Sequence, residues 1–389
     1  MPGVEGFIYP NELELQWSML IVLYPFITGL VAGAFILASL ERVFNVEAVK
    51  PTYRLALLTA LAFLLVAPLP LQLHLGHPER SFEMYLTPHT SSAMAMFGFV
   101  YLWYLMVVLV LEIWFDYRKD IVLTWQESKG LKRVLYAFMA LGSRNISEPA
   151  LRIDDRIGRF LTVIGIPSAF LLHGYVGFIF GSIKANPWWS SAMMPIVFLF
   201  SAIVSGIALI TVLYYLISWY RKTPVNQACV DTIARYLLYA FLIDFSLELL
   251  DLIHRIYEAD ESFKSLDFMV HTRLYLPHII VQLLIGTVVP LIMLGSAQLF
   301  KIRPATRRLI YFISCNLTLI GIFAMRWNVV IGGQLFSKSF LGYTTYKLEF
   351  ATREGLLTSI VLLILPFLIL AVLAYLLPPW KEEPKTARN

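Results

Sequence analysis

Two histidines, a glutamate and an arginine fall within Leu73-His74-Leu75-Gly76-His77-Pro78-Glu79-Arg80, where a long apolar run gives way to polar sequence. Imidazole changes charge near neutrality, so His74 and His77 are suited to taking or giving a proton at working pH. A second titratable group lies in Asp244-Phe245-Ser246-Leu247-Glu248-Leu249-Leu250-Asp251-Leu252-Ile253-His254-Arg255. On a helix, steps of four, three and four place Asp244, Glu248, Asp251 and Arg255 on one narrow stripe. If that helix crosses a membrane, each charge near the centre costs about 2.5–3.5 kcal/mol on insertion scales, so the acids need partners or water. Two readings stand: protonated or Arg255-paired acids that hold helices together, or a proton route from mid-membrane to one face. His278 and Gln282, one turn apart, extend the second reading outward. His173 sits in an apolar run, where a structural hydrogen bond, a quinone contact and a haem ligand are all open to it.

Trp17, Tyr24, Gln72, His74 and Tyr175 all belong near one rim of such a membrane region. Aromatic side chains at that depth form the ordinary interfacial belt. Together with His77 and His173 they also suit a quinone head, whose carbonyls need donors, whose ring needs flat apolar walls and whose tail needs lipid access.

The elements that must position these residues are membrane helices. The chain has 389 residues, 58% of them hydrophobic and only 15% charged, with a mean hydropathy of +0.70. A soluble domain of this size carries far more polar surface, so the composition predicts an integral membrane protein. The formal charge of +5 is too small and too dispersed for a nucleic-acid binder. Two cysteines, Cys229 and Cys315, cannot hold an iron–sulfur cluster, and there is no CxxCH for covalent haem, so no metal site is expected in this chain. The N-terminus lacks the basic start of a signal peptide.

Nine continuous apolar runs predict nine spans, Trp17–Leu40, Tyr53–Leu73, Ala93–Phe115, Phe160–Gly181, Ala192–Trp219, Thr232–His254, Leu274–Phe300, Leu309–Met325 and Gly355–Leu377. Lys and Arg concentrate in the connections after spans one, three, five and seven and in the tail (Lys381, Lys385, Arg388). The opposite connections hold the LGHPER turn, the KANPWW turn and Glu258, Asp260 and Glu261. By the positive-inside rule the N-terminus is expected outside and the C-terminus in the cytoplasm of a multi-pass cell-membrane protein. Leu131–Leu141 is amphipathic and expected to lie on the inner surface. Gly29 and Gly33, and Gly177 and Gly181, offer flat faces for close helix approach.

LGHPER, the stretch HGYVGFIFGSIKANPWWSSAMMP from His173, and RWNVVIGGQ from Arg326 resemble the NrfD/PsrC-like family of membrane subunits of respiratory oxidoreductases, and within it the members found in Dsr-type complexes of sulfur metabolism. The resemblance implies an all-α polytopic protein of about nine transmembrane helices, with two antiparallel four-helix bundles plus an extra C-terminal helix. The first bundle, residues 1–182, would hold quinone near the outer face. The second, residues 183–328, carries the acidic stripe, and residues 329–389 form an outer loop, span nine and the tail. It further implies menaquinone or menaquinol as bound substrate, with no haem or cluster in this chain. The partners it implies are an outer-face iron–sulfur protein, a multihaem cytochrome c and other membrane and cytoplasmic subunits. Arg80, Lys184, Arg326 and Gln334 are the outer-loop residues expected to face those partners. One departure is that His74 stands where relatives often carry an acid. A b-haem anchor, a proton conductor and a redox-silent anchor remain the alternatives.

Overall fold

The computed structural model describes residues 5–380 apart from 88, 90 and 259–262, together with all their side chains except those of residues 93, 94 and 258. Asp260, Glu261 and the tail residues Lys381, Lys385 and Arg388 lie outside the described residues, as does the side chain of Glu258.

Nine long helices dominate the described residues. They are α1 (Met19–Arg42), α2 (Lys50–Val66), α3 (Ala95–Glu127), α4 (Glu148–Gly181), α5 (Met194–Tyr220), α6 (Gln227–Glu258), α7 (Tyr275–Leu299), α8 (Pro304–Val330) and α9 (Leu356–Leu376). Among the described residues, eight of them are long and apolar enough to cross a membrane by length and composition, α2 together with its flanking turns as Glu47–His74 and α8 as Pro304–Gln334; α6 is the exception. Asp231, Arg235, Asp244, Glu248, Asp251 and Arg255 spread charge along its length and dilute its hydropathy. Yet it has 32 residues, about 48 Å at 1.5 Å each. Its first turns pack on the short helix Glu47–Val49 at one end of the protein, and Arg255 reaches the Pro187 carbonyl at the other. It therefore runs the full depth beside α5.

Polar groups sort to two ends. At the basic end, Arg54 binds Asp116 and Asp120 (2.7 and 2.6 Å), Arg42 binds Asp155 (3.0 Å), and Arg118 pairs with Asp154. These pairs let α3 run on to Glu127 and α4 start at Glu148, so the stretch between the third and fourth apolar runs is mostly helical. The helix Gly130–Met139 lies between them with Leu131, Val134 and Phe138 turned outward, as the amphipathic pattern predicts. At the opposite end, a two-residue antiparallel pairing of Glu5–Gly6 with Gly342–Tyr343 ties the two outermost segments together.

α1 and α5 are apolar on every face and form the centre. Inside a membrane, helix association depends on close packing and interhelical polar contacts, because lipid is as apolar as leucine. The α1–α5 crossing shows how close that packing is. A Cβ on Gly33 would lie 2.1 Å from the Ala202 carbonyl oxygen, and one on Gly206 would lie 2.4 Å from Gly33. α4 and α8 pack on the same central pair, and α6 and α7 complete the second half. α9 returns to the first half, lying along α2 and α1.

Candidate functional site

A fully enclosed polar group is built where α1, α4, α5 and α8 meet. His173 and Arg326 are both 0% exposed. Arg326 Nη2 lies 3.1 Å from His173 Nε2, 2.7 Å from Ser201 Oγ and 3.3 Å from the Phe198 carbonyl, with the guanidinium 4.0 Å above the Phe198 ring. Arginine has no acceptor, so His173 Nε2 must present its lone pair and the ring proton sits on Nδ1. Nδ1 then donates to Thr28 Oγ1 at 3.3 Å, and Thr28 donates onward to the Tyr24 carbonyl at 3.0 Å. Donors thus run one way, from α8 through α4 to α1. Gly29 makes room for the imidazole, since a Cβ there would sit 3.2 Å from His173 Cε1. The acids whose fields reach Arg326 are Asp244 and Glu248 of α6.

This corrects two expectations. Arg326 is not on an outer loop; α8 continues past Met325 to Val330 because the guanidinium has buried partners to meet. Gln334 is not free to meet a partner protein either. Its side chain clamps the start of α1, accepting from Trp17 N at 2.9 Å and donating to the Trp17 carbonyl at 3.2 Å. Both ring nitrogens of His173 are engaged, so neither a haem iron nor a quinone oxygen can take one without dismantling the network.

The α6 stripe faces the protein interior. Asp244 is buried with Oδ1 unpartnered among the described residues, Glu248 is partly buried, and Asp251 accepts from Ser191 and from Arg255 Nε (2.9 Å). Opposite it, α7 opens with a wide-turned π-helical stretch, Tyr275–Val288, that carries His278 and Gln282. Gln282 Oε1 lies 3.0 Å from His278 Nδ1 and 2.7 Å from Asn328 Nδ2, and Gln282 Nε2 is 3.5 Å from Glu248 Oε1. A cleft of about 390 Å³ opens among α6, α7, α8 and the helix Phe263–Thr272, lined by Trp188, Phe245, Glu248, His278 and Gln282.

The rim residues of the first half are less concentrated. Trp17 stacks on Trp189 with centroids 5.0 Å apart. Tyr24 meets Phe97 edge-on, Phe97 stacks on Tyr175, and the Tyr24 hydroxyl is enclosed without a hydrogen-bond partner among the described residues. His74 ends the short helix Leu69–His74 and binds Glu354 at 2.9 Å, while Arg353 donates to the carbonyls of Gln72 and Leu75. His77 is exposed and paired with Glu79 inside its own turn, and Arg80 pairs with Glu83, whose carboxyl it holds below the usual range by hydrogen bonding. Lys184 is exposed.

Residues that sequence reading passed over include Thr28 and Ser201 of the buried network, Glu354, and Glu112. Glu112 is 0% exposed between α2, α3 and α4, accepting from Thr162 at 2.7 Å and Tyr53 at 3.4 Å. A lone acid between Leu111 and Ile113 was its signal.

Residues 10–338 match the family model of the polysulphide reductase NrfD. The chain belongs to that family. Among curated relatives it is similar to a selenate reductase subunit of Mesobacillus selenatarsenatis, at 35% identity over 51% of this chain and 48% of the relative. A putative dimethyl sulfoxide reductase membrane subunit of Halobacterium salinarum is 28% identical over 51% of this chain and 42% of that protein. Protein NrfD of Escherichia coli is 28% identical over 50% and 58%. The chain therefore spans about half the length of the curated relatives it matches. As an NrfD-family protein it is a multi-pass membrane protein whose relatives are named as subunits of reductases.

Proposed function

We propose that the chain is the quinone-reactive membrane subunit of a multi-subunit reductase complex. It oxidises menaquinol, or in reverse reduces menaquinone, and exchanges the two electrons with an iron–sulfur protein and a multihaem cytochrome c on the outer face of the cell membrane. The LGHPER end is then the outer end, with the N-terminus outside and the C-terminus in the cytoplasm. The wording of the LGHPER and HGYVGFIFGSIKANPWW motifs supports a Dsr-type complex of sulfur metabolism.

The observation that carries the reading is the Tyr24 hydroxyl, a buried donor without a partner among the described residues, beside the Phe97–Tyr175 stack. A buried hydroxyl left unpaired costs about 1–3 kcal/mol, so the site is stabilised by a ligand acceptor such as a quinone oxygen. The aromatic faces supply flat walls. The His74–Glu354 pair stands at the same end, on a short helix that packs against α1. Each turnover of a quinol releases two electrons to the partner and two protons to the protein. His74 takes the first proton and passes it outward through Glu354. Asp244, Glu248 and Asp251, with His278 and Gln282, form the longer proton route through the second half. Arg80 and Lys184, both exposed at this end, are the residues presented to the outer partner.

The test is quinol-dependent reduction of the partner by the purified complex. His74→Ala should lower it about a hundredfold, the scale of a lost general base. Tyr24→Phe should lower it about tenfold. Full turnover in both variants refutes the assignment.

A further inference from the structure

The cleft in the second half has a polarity that selects its occupant. The Asn328 amide nitrogen donates to the Pro277 carbonyl at 3.1 Å, which fixes which end of that side chain is the donor. Its other N–H goes to Gln282 Oε1 at 2.7 Å, which fixes the orientation of Gln282 in turn. His278 Nδ1, 3.0 Å from the same oxygen, must therefore carry the ring proton. The remaining ring nitrogen, Nε2, is an acceptor, and it takes no protein partner among the described residues. Glu248 adds a carboxylate oxygen in the same cleft, its other oxygen being 3.5 Å from Gln282 Nε2.

Around His278 and Glu248 the cleft thus presents acceptors, while the cationic groups of its lining, Arg255 and His271, are each paired with an acid, Asp251 and Asp267. A phosphate or carboxylate headgroup, which brings only acceptors and negative charge, is disfavoured here. So is an oxidised quinone, whose two carbonyls accept. A hydroquinone brings two O–H donors on a flat ring. The walls suit such a ring, with Trp188 set edge-on to His278 at 5.7 Å and Phe245 beside it. The cleft volume of about 390 Å³ lies within the roughly 300–1,000 Å³ of small-molecule pockets. Leu252 and Ile256, both outward-facing on α6, line its edge, so an isoprenoid tail can lie toward lipid.

We propose that this cleft is a second quinone-class site, distinct from the Tyr24 wall and selective for the reduced form, with His278 and Glu248 accepting the hydroquinone hydroxyls. It rests on the reading that quinone is this protein's substrate, and the test separates the two. The probe is a short-tailed naphthoquinone carrying an aryl trifluoromethyl diazirine, photolysed with the full-length chain in phosphatidylcholine nanodiscs, either oxidised or kept reduced with dithionite. Label is mapped by peptide mass spectrometry. The expected result is label on residues 245–256 and 275–283 with the reduced probe, at least about tenfold above the oxidised probe, since two unmatched acceptors each cost about that factor. His278→Phe keeps an aromatic wall and removes the acceptor, and it should abolish that label while leaving any label near Tyr24 and Tyr175. Glu248→Gln, which turns one acceptor into a donor, should reduce the preference for the reduced form and so covers a failure of His278→Phe to fold. Equal labelling by both redox forms, or cleft label indifferent to both variants, overturns the proposal. Label confined to the Tyr24 wall overturns the second site alone. Label at neither place overturns the quinone reading with it.

Discussion

Replacing Arg326 with methionine keeps the length and apolar bulk of the side chain and removes its charge. The variant loses four donor contacts, to His173, Ser201, the Phe198 carbonyl and the Met325 sulfur, and the stacking on Phe198. Interhelical polar contacts in membranes average about 0.6 kcal/mol each, so the hydrogen bonds alone account for about 2 kcal/mol. The larger loss is electrostatic. Asp244 and Glu248 make no hydrogen bond or ion pair to Arg326 among the described residues but lie within reach of its charge, and removing a buried cation from one side of such a set costs up to about 3–5 kcal/mol. The charge effect therefore outweighs the bonds. Equilibrium unfolding of the full chain in bicelles, followed by far-ultraviolet circular dichroism, should show Arg326→Met destabilised by about 3–5 kcal/mol. Adding Asp244→Asn and Glu248→Gln to it should recover more than half of that loss. A deficit near 2 kcal/mol with no recovery in the triple variant would show that Arg326 serves as a hydrogen-bond donor only, and the electrostatic argument would be wrong.

Gly206→Val should destabilise the protein by at least about 1–3 kcal/mol in the same assay, because its side chain must push α1 away from α5. Unchanged stability would mean that the crossing is looser than described. Gln334→Ala should cost about 1–3 kcal/mol by freeing the Trp17 backbone, and should speed hydrogen exchange at the start of α1 but not at its end. The Arg80–Glu83 pair makes a pH prediction. The Glu83 carboxyl titrates below its ordinary value when folded, so its contribution is present above that ordinary value and is lost as pH falls through the depressed one. Amide protection in the turn Pro78–Leu86, taken relative to the intrinsic exchange rate at each pH, should fall over that acid range, and in Arg80→Ala it should stay constant across it.

Continuous apolar runs made the helices legible, because a bilayer demands unbroken hydrogen-bonded segments of that length. The inward face of the α6 stripe was legible for the same reason, since acids on a membrane helix have nowhere else to point. Arg326 was not. Its apolar run stops at Met325, and a cation at that position reads as the end of a span. Its partners come from helices that begin well over a hundred residues earlier in the chain and adjoin it only after folding. Thr28 and Ser201 were invisible because a single hydroxyl in an apolar helix usually satisfies its own backbone, as Ser205 does on Ala202. His74 was legible as a rim residue. Its partner Glu354 lies 280 residues away, beyond any local pattern.

The one-way run of donors from Arg326 through His173 to Thr28 bears on where charge can travel. Relay along a hydrogen-bonded chain needs every link to receive a proton on one side and hand one on from the other. This chain begins at a guanidinium that only gives and ends at a peptide carbonyl that only receives. It is polar but cannot turn over, and so behaves as an insulator laid across the middle of the protein. A proton passing between the Tyr24 side and the acids of α6 must therefore go around this network and not through it, so the network sets which way a proton path can bend inside the bundle.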